Sequence, residues 1–226
     1  QQVSARDLAP LLPHVVHPTT FAALKPEVAV ILAVALSNGG HAHPWLWART
    51  APAFRANRLP ARSLIALASA LTNHLEALAP VLSEASRKRR GLAPPPWKEA
   101  LTKHLQFLAA SLPLFWARLR SRCPVFSDVE IQRIAAAALP LVEVQESLVK
   151  YLEGVPGASA WQVSAPLRYA ATKFARRLAV EQERRGHQEK EAVEALLDQS
   201  GVARADVQKD VQLLAEDAIT SSSPAM

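Results

Sequence analysis

The segment LKPEVAVILAVALSN at 24–38 is echoed 35 residues later by LPARSLIALASALTN at 59–73. Leu24 falls on Leu59, Leu32 on Leu67, Ala33 on Ala68, Ala35 on Ala70, Leu36 on Leu71 and Asn38 on Asn73, with Ser37 over Thr72. Neither copy carries a residue with obvious chemistry, so the feature that recurs is a packing surface. Leu or Ile at spacings of three to four supplies a buried stripe, and the alanines leave room for close helix approach. A fixed period in such a pattern points to repeated helical units that bury their apolar faces by stacking.

Later segments register with the first two. From Phe126, Ile131 falls on Leu64, Ile134 on Leu67, Ala135 on Ala68 and Ala137 on Ala70. From Trp161, Tyr169, Ala170 and Ala171 fall on Ile134, Ala135 and Ala136, and the stretch from Leu92 fills the gap between. Units near Leu24, Leu59, Leu92, Phe126 and Trp161 follow at spacings of 35, 33, 34 and 35. The alternative is a helical bundle whose Ala-rich amphipathic helices look alike by composition.

Each unit has room for two helices, with a short break before the second at or near Pro44, Pro113 and Pro140, since proline suits a first helical turn; Pro52 and Pro80 imply a kink or a later start. Ser127 with Glu130 predicts a capping box, and Phe126 with Ile131 a hydrophobic staple. The expected fold is all-α: a right-handed α-solenoid of about five helix-pair repeats of 33–35 residues with cap helices at both ends. Residues 1–23 form the N-terminal cap segment, 24–185 the array, 186–219 charged C-terminal helices divided near Gly201, and 220–226 a loose tail.

Composition agrees with helices, since only 7 of 226 residues are glycine and Ala and Leu abound. The single cysteine, Cys123, excludes an internal disulfide and a cysteine-based zinc site. Charged residues or histidine interrupt every apolar run before the roughly 20 residues that cross a bilayer, so no membrane span is expected. The chain opens at Gln1, which fits removal of a targeting peptide as well as trimming. Residues 1–125 hold 15 Lys/Arg against 5 Asp/Glu, while 126–226 hold 11 against 15. A basic front and an acidic back suit a molecule that faces phosphates or an acidic protein surface.

The candidate binding residues follow from that asymmetry. Arg55 and Arg58, then Arg87, Lys88, Arg89 and Arg90, then Arg118, Arg120 and Arg122 recur toward the ends of the second helices, with Arg58, Arg90 and Arg122 each 32 residues apart. Stacking would align them as a basic stripe able to meet phosphates. The plainer account is that cations complement the carbonyls of a helix C-terminus. Trp45 and Trp47 flank a break, making one of them the best exposed partner anchor. The histidine pairs His14/His17 and His41/His43 lack a nearby third metal ligand, Cys123 has basic neighbours but no paired base, and the acids Glu143/Glu146 and Glu181/Glu183 read as solvated. No catalytic constellation, metal site, cofactor site or small-molecule substrate is expected.

Helix pairs near 35 residues, with a first-helix pattern like LIALASAL, resemble the octotricopeptide, heptatricopeptide and FAST-kinase-like repeats of organelles; pentatricopeptide repeats share the length, but their Tyr-Asn and Gly-x-x-Pro marks are missing. The resemblance covers residues 24 to about 185 and rests on apolar spacing. It implies a non-catalytic accessory or adaptor subunit of a large mitochondrial assembly such as ATP synthase or the mitoribosome, in the matrix or another organelle. The alternative it implies is a single-stranded RNA binder, although the base-reading positions are here mostly apolar or small, as in VAVILAVAL.

Overall fold

The computed structural model describes residues 25–38, 47, 59–86, 96–154, 160–185 and 191–221. Among the described residues seven α-helices and one 3₁₀ turn follow in order, with no strand. They are α1 (Pro26–Asn38), α2 (Ala61–Ser86), α3 (Pro96–Arg122), the turn Cys123–Val125, α4 (Asp128–Glu153), α5 (Ala160–Arg184), α6 (Glu191–Ser200) and α7 (Arg204–Ser221). The chain is all-α over these residues, and none of their helices is long and apolar enough to cross a membrane.

The second to fifth units hold one long helix each instead of a pair. The breaks expected at or near Pro113 and Pro140 are missing, because α3 and α4 run through them, as α2 and α5 run through Pro80 and Pro166; Pro44 and Pro52 lie outside the described residues. An interior proline removes one backbone bond and crowds the preceding turn, at about 3 kcal/mol. Against this, Leu64, Leu67, Leu71, Leu75 and Leu78 form one unbroken buried stripe along α2, and each such side chain contributes roughly 1.5–3 kcal/mol when fully buried. The stripe outweighs the proline. Pro80 and Pro166 are also exposed and Pro113 and Pro140 half-buried.

Helices two apart in sequence are the closest neighbours: α2 packs on α4 and α3 on α5, more extensively than α2 on α3 or α3 on α4. One layer thus reads α1, α2, α4, α6 and the other α3, α5, α7, with α4 and α6 covering α5. The first-layer helices start at Pro26, Ala61, Asp128 and Glu191. The echo itself is a contact. The aligned Asn38 and Asn73 are hydrogen-bonded side chain to side chain at 3.1 Å, and the aligned pairs Ala33/Ala68, Leu36/Leu71 and Ser37/Thr72 are all buried.

Three polar links cross between layers. The His74 and His104 Nε2 atoms lie 2.8 Å apart in a buried hydrogen bond, Trp116 Nε1 donates to Gln145 Oε1 at 2.7 Å, and the Thr102 and Tyr151 hydroxyls meet at 3.2 Å. Such partners cost little when made and about 1–3 kcal/mol when one is left alone in the core, so each opposes sliding of one layer over the other. At the α3–α4 corner the expected capping box is present: Glu130 N donates to Ser127 Oγ and Ser127 N to the Glu130 carboxylate. Phe126 and Ile131 are both buried, as a staple requires.

Candidate functional site

Of the expected basic stripe, the described residues hold only Arg118, Arg120 and Arg122, all on α3. Arg118, Arg120 and Arg122 are spaced by two, which on a helix turns Arg120 away from the other two. Arg118 and Arg122 are half-buried, and burial, followed by the Arg122 charge, draws the Arg118 pKa down. Arg120 is exposed. Arg55, Arg58, Arg87, Lys88, Arg89, Arg90 and Trp45 lie outside the described residues, as do His14, His17, His41 and His43. Trp47 is 1% exposed, with its ring 5.2 Å from that of His74. It is a core side chain here and not an exposed anchor, because its indole packs against the buried His74 ring.

Arg120 instead faces a groove that α5 floors and α3 and α7 wall. Its volume is about 290 Å³, and Arg120, Lys173, Arg176, Arg177 and Asp210 line it together with the buried Val180 on α5 and Leu213 and Leu214 on α7. Lys173, Arg176, Arg177 and Val180 stand at i, i+3, i+4 and i+7 on α5, which places them on one face. Four cations against one carboxylate make the groove basic, and its apolar side chains make it amphipathic.

Each cation is held differently. The Arg176 guanidinium is bidentate on Asp210, one bond being Nη2 to Oδ1 at 2.7 Å, and it also donates to the Asp206 carbonyl at 3.2 Å. That hydrogen bond, and then the Arg176 charge, hold the Asp210 pKa below the usual range. Arg177 Nη2 reaches Glu181 at 2.5 Å, Arg184 reaches it at 3.0 Å and Arg185 at 3.9 Å. Glu181 is only 1% exposed and so is not a solvated acid; three arginines meet its buried carboxylate. Arg185 further donates to the Phe126 and Pro124 carbonyls at 2.5 and 3.1 Å and to Asp128 at 3.2 Å, tying the end of α5 to the α3–α4 corner. Lys173 lies over the exposed Tyr169 ring at 5.4 Å. Among the described residues no carboxylate forms an ion pair with Arg120 or Lys173.

Cys123, beneath this cluster, is buried, and burial pushes its thiol up to about 12 despite the lowering effect of Arg177 and Arg185. Its basic neighbours therefore do not make it a nucleophile. Glu146, read as solvated, accepts a bidentate Arg168 at 2.8–3.1 Å from α5. No group of three metal-ligating side chains occurs among the described residues. The groove had no single signal in the sequence, because its lining comes from positions 120, 173–180 and 210–214; only Arg120 stood among the expected binding residues. Compared with known proteins, the chain matches no family model, no curated protein and no solved structure.

Proposed function

We propose that the chain is a helical-repeat docking subunit that acts by binding a partner protein within a larger assembly rather than by chemistry on a small molecule. The observation that carries this reading is the ordered, basic and amphipathic groove across α5. Two alternating helix layers support the finer reading of a short solenoid whose repeating unit is a pair of long helices, α2–α3 and then α4–α5, closed by α6–α7. An organellar home, with the mitochondrial ATP synthase or ribosome as the assembly, rests on the resemblance of the repeats.

The test is migration of the full chain in gel filtration of an extract of its source organelle. Elution at the mass of an assembly, unchanged by nuclease, is the expected result. Elution at the mass of the free chain overturns the reading, and a high mass that nuclease collapses favours the RNA-binding alternative.

A further inference from the structure

The groove on α5 narrows the kind of partner. Its volume of about 290 Å³ falls just under the roughly 300–1,000 Å³ of pockets that enclose a small molecule, and is room for an anchoring side chain or two. Its walls are two helices packed on a third, the shape into which an amphipathic helix lays an apolar face. Leu213 is 50% exposed at its edge, where an apolar residue of a partner would cover it.

The charges choose among macromolecules. Arg176 and Arg177 are already committed to Asp210 and Glu181, so they shape the groove more than they attract. Arg120 and Lys173 remain to meet an incoming anion. Within the groove, among the described residues, two cations would neutralise only two phosphates, and affinity for a nucleic acid grows with the number neutralised, whereas two carboxylates beside an apolar anchor suffice to orient a peptide. We propose, resting on the docking reading above, that this groove receives an acidic amphipathic helix of a partner protein, its apolar residues on Leu213 and Leu214 above the buried Val180 and its carboxylates on Arg120 and Lys173.

The experiment is fluorescence anisotropy on the full chain with three labelled probes: a four-turn Leu/Glu amphipathic peptide, its Leu/Lys counterpart and oligouridylate. The Leu/Glu peptide is expected to bind and the Leu/Lys peptide not. The double variant Arg120→Glu/Lys173→Glu should weaken binding about tenfold, two exposed pairs turned repulsive. Leu213→Asp should weaken it similarly while the circular dichroism melt stays that of the parent chain. Equal binding by parent and double variant, no binding of the Leu/Glu peptide, or tighter oligouridylate binding lost in the same variants each overturns the inference. Should the double variant still elute with the assembly, the groove assignment falls and the docking reading stands. Should the parent chain elute alone yet bind the Leu/Glu peptide through the groove, the docking reading falls instead.

Discussion

Single side chains carry the plainest consequences. Burial lowers the His104 pKa from 6.5 to about 4, so the folded state holds this ring neutral where the unfolded chain takes up a proton. Stability is then complete above pH 6.5 and falls as pH drops toward 4, by about 3 kcal/mol over the interval at 1.36 kcal/mol per unit. Urea unfolding at several pH values should show that slope. His104→Gln, which keeps a hydrogen-bonding partner for His74 without a titrating ring, should flatten it, and an unchanged slope in the variant would show that other groups carry the dependence. Cys123, with its thiol near 12, should resist iodoacetamide in the native state and label only with denaturant present; rapid native labelling would show that the α3–α4 corner opens. None of this was legible beforehand. Burial depends on which helix lies opposite, and Trp47, Glu181 and Cys123 change character for that reason.

At the level of elements, caps and turns were readable because their signals are local. Ser127 and Glu130 stand three apart and bond as that spacing demands, and Ser127→Ala should cost about 1 kcal/mol in denaturant unfolding. The division near Gly201 is a Schellman end to α6, with Val202 N on the Leu197 carbonyl and Gly201 N on that of Asp198. Gly201 sits at φ +66° with nothing within 4 Å of where a Cβ would stand. Gly201→Ala should therefore cost about 1 kcal/mol through backbone conformation alone, whereas Gly154→Ala, at φ −83°, should be near neutral; equal costs at the two sites would contradict the assignment. Helix length was not readable in the same way. Pro113 and Pro140 mark starts when taken locally, and only the buried residues on either side of them, set against the partner layer, reveal that α3 and α4 pass through.

At the scale of the whole chain the first echo was legible in the sequence, and its two segments meet through Asn38 and Asn73. The alternation of layers was not, since composition carries no signal for whether a helix prefers its next neighbour or the one after. The groove escaped for the same reason, its walls being about ninety residues apart in the chain. The layer order makes a prediction of its own. A chain ending after α3 lacks the principal partners of both α2 and α3, so it should show weak far-ultraviolet helicity and a non-cooperative melt, while a chain ending after Ser221 should melt in one transition. A cooperative melt of the shorter chain would refute the layer assignment.

That order also bears on synthesis. As a ribosome makes this chain, α2 emerges with α1 already beside it, but α4, the helix it packs on most extensively, begins only at Asp128, so the apolar face turned toward α4 has no cover. At about 5–20 residues per second, several seconds of elongation leave that face bare, long enough for it to meet other nascent chains. Closing these long loops also makes folding slower than helix content suggests. A holdase chaperone that shields α2 until α4 has left the ribosome would then be a working requirement for making the protein, set by a helix order that hairpin bundles avoid.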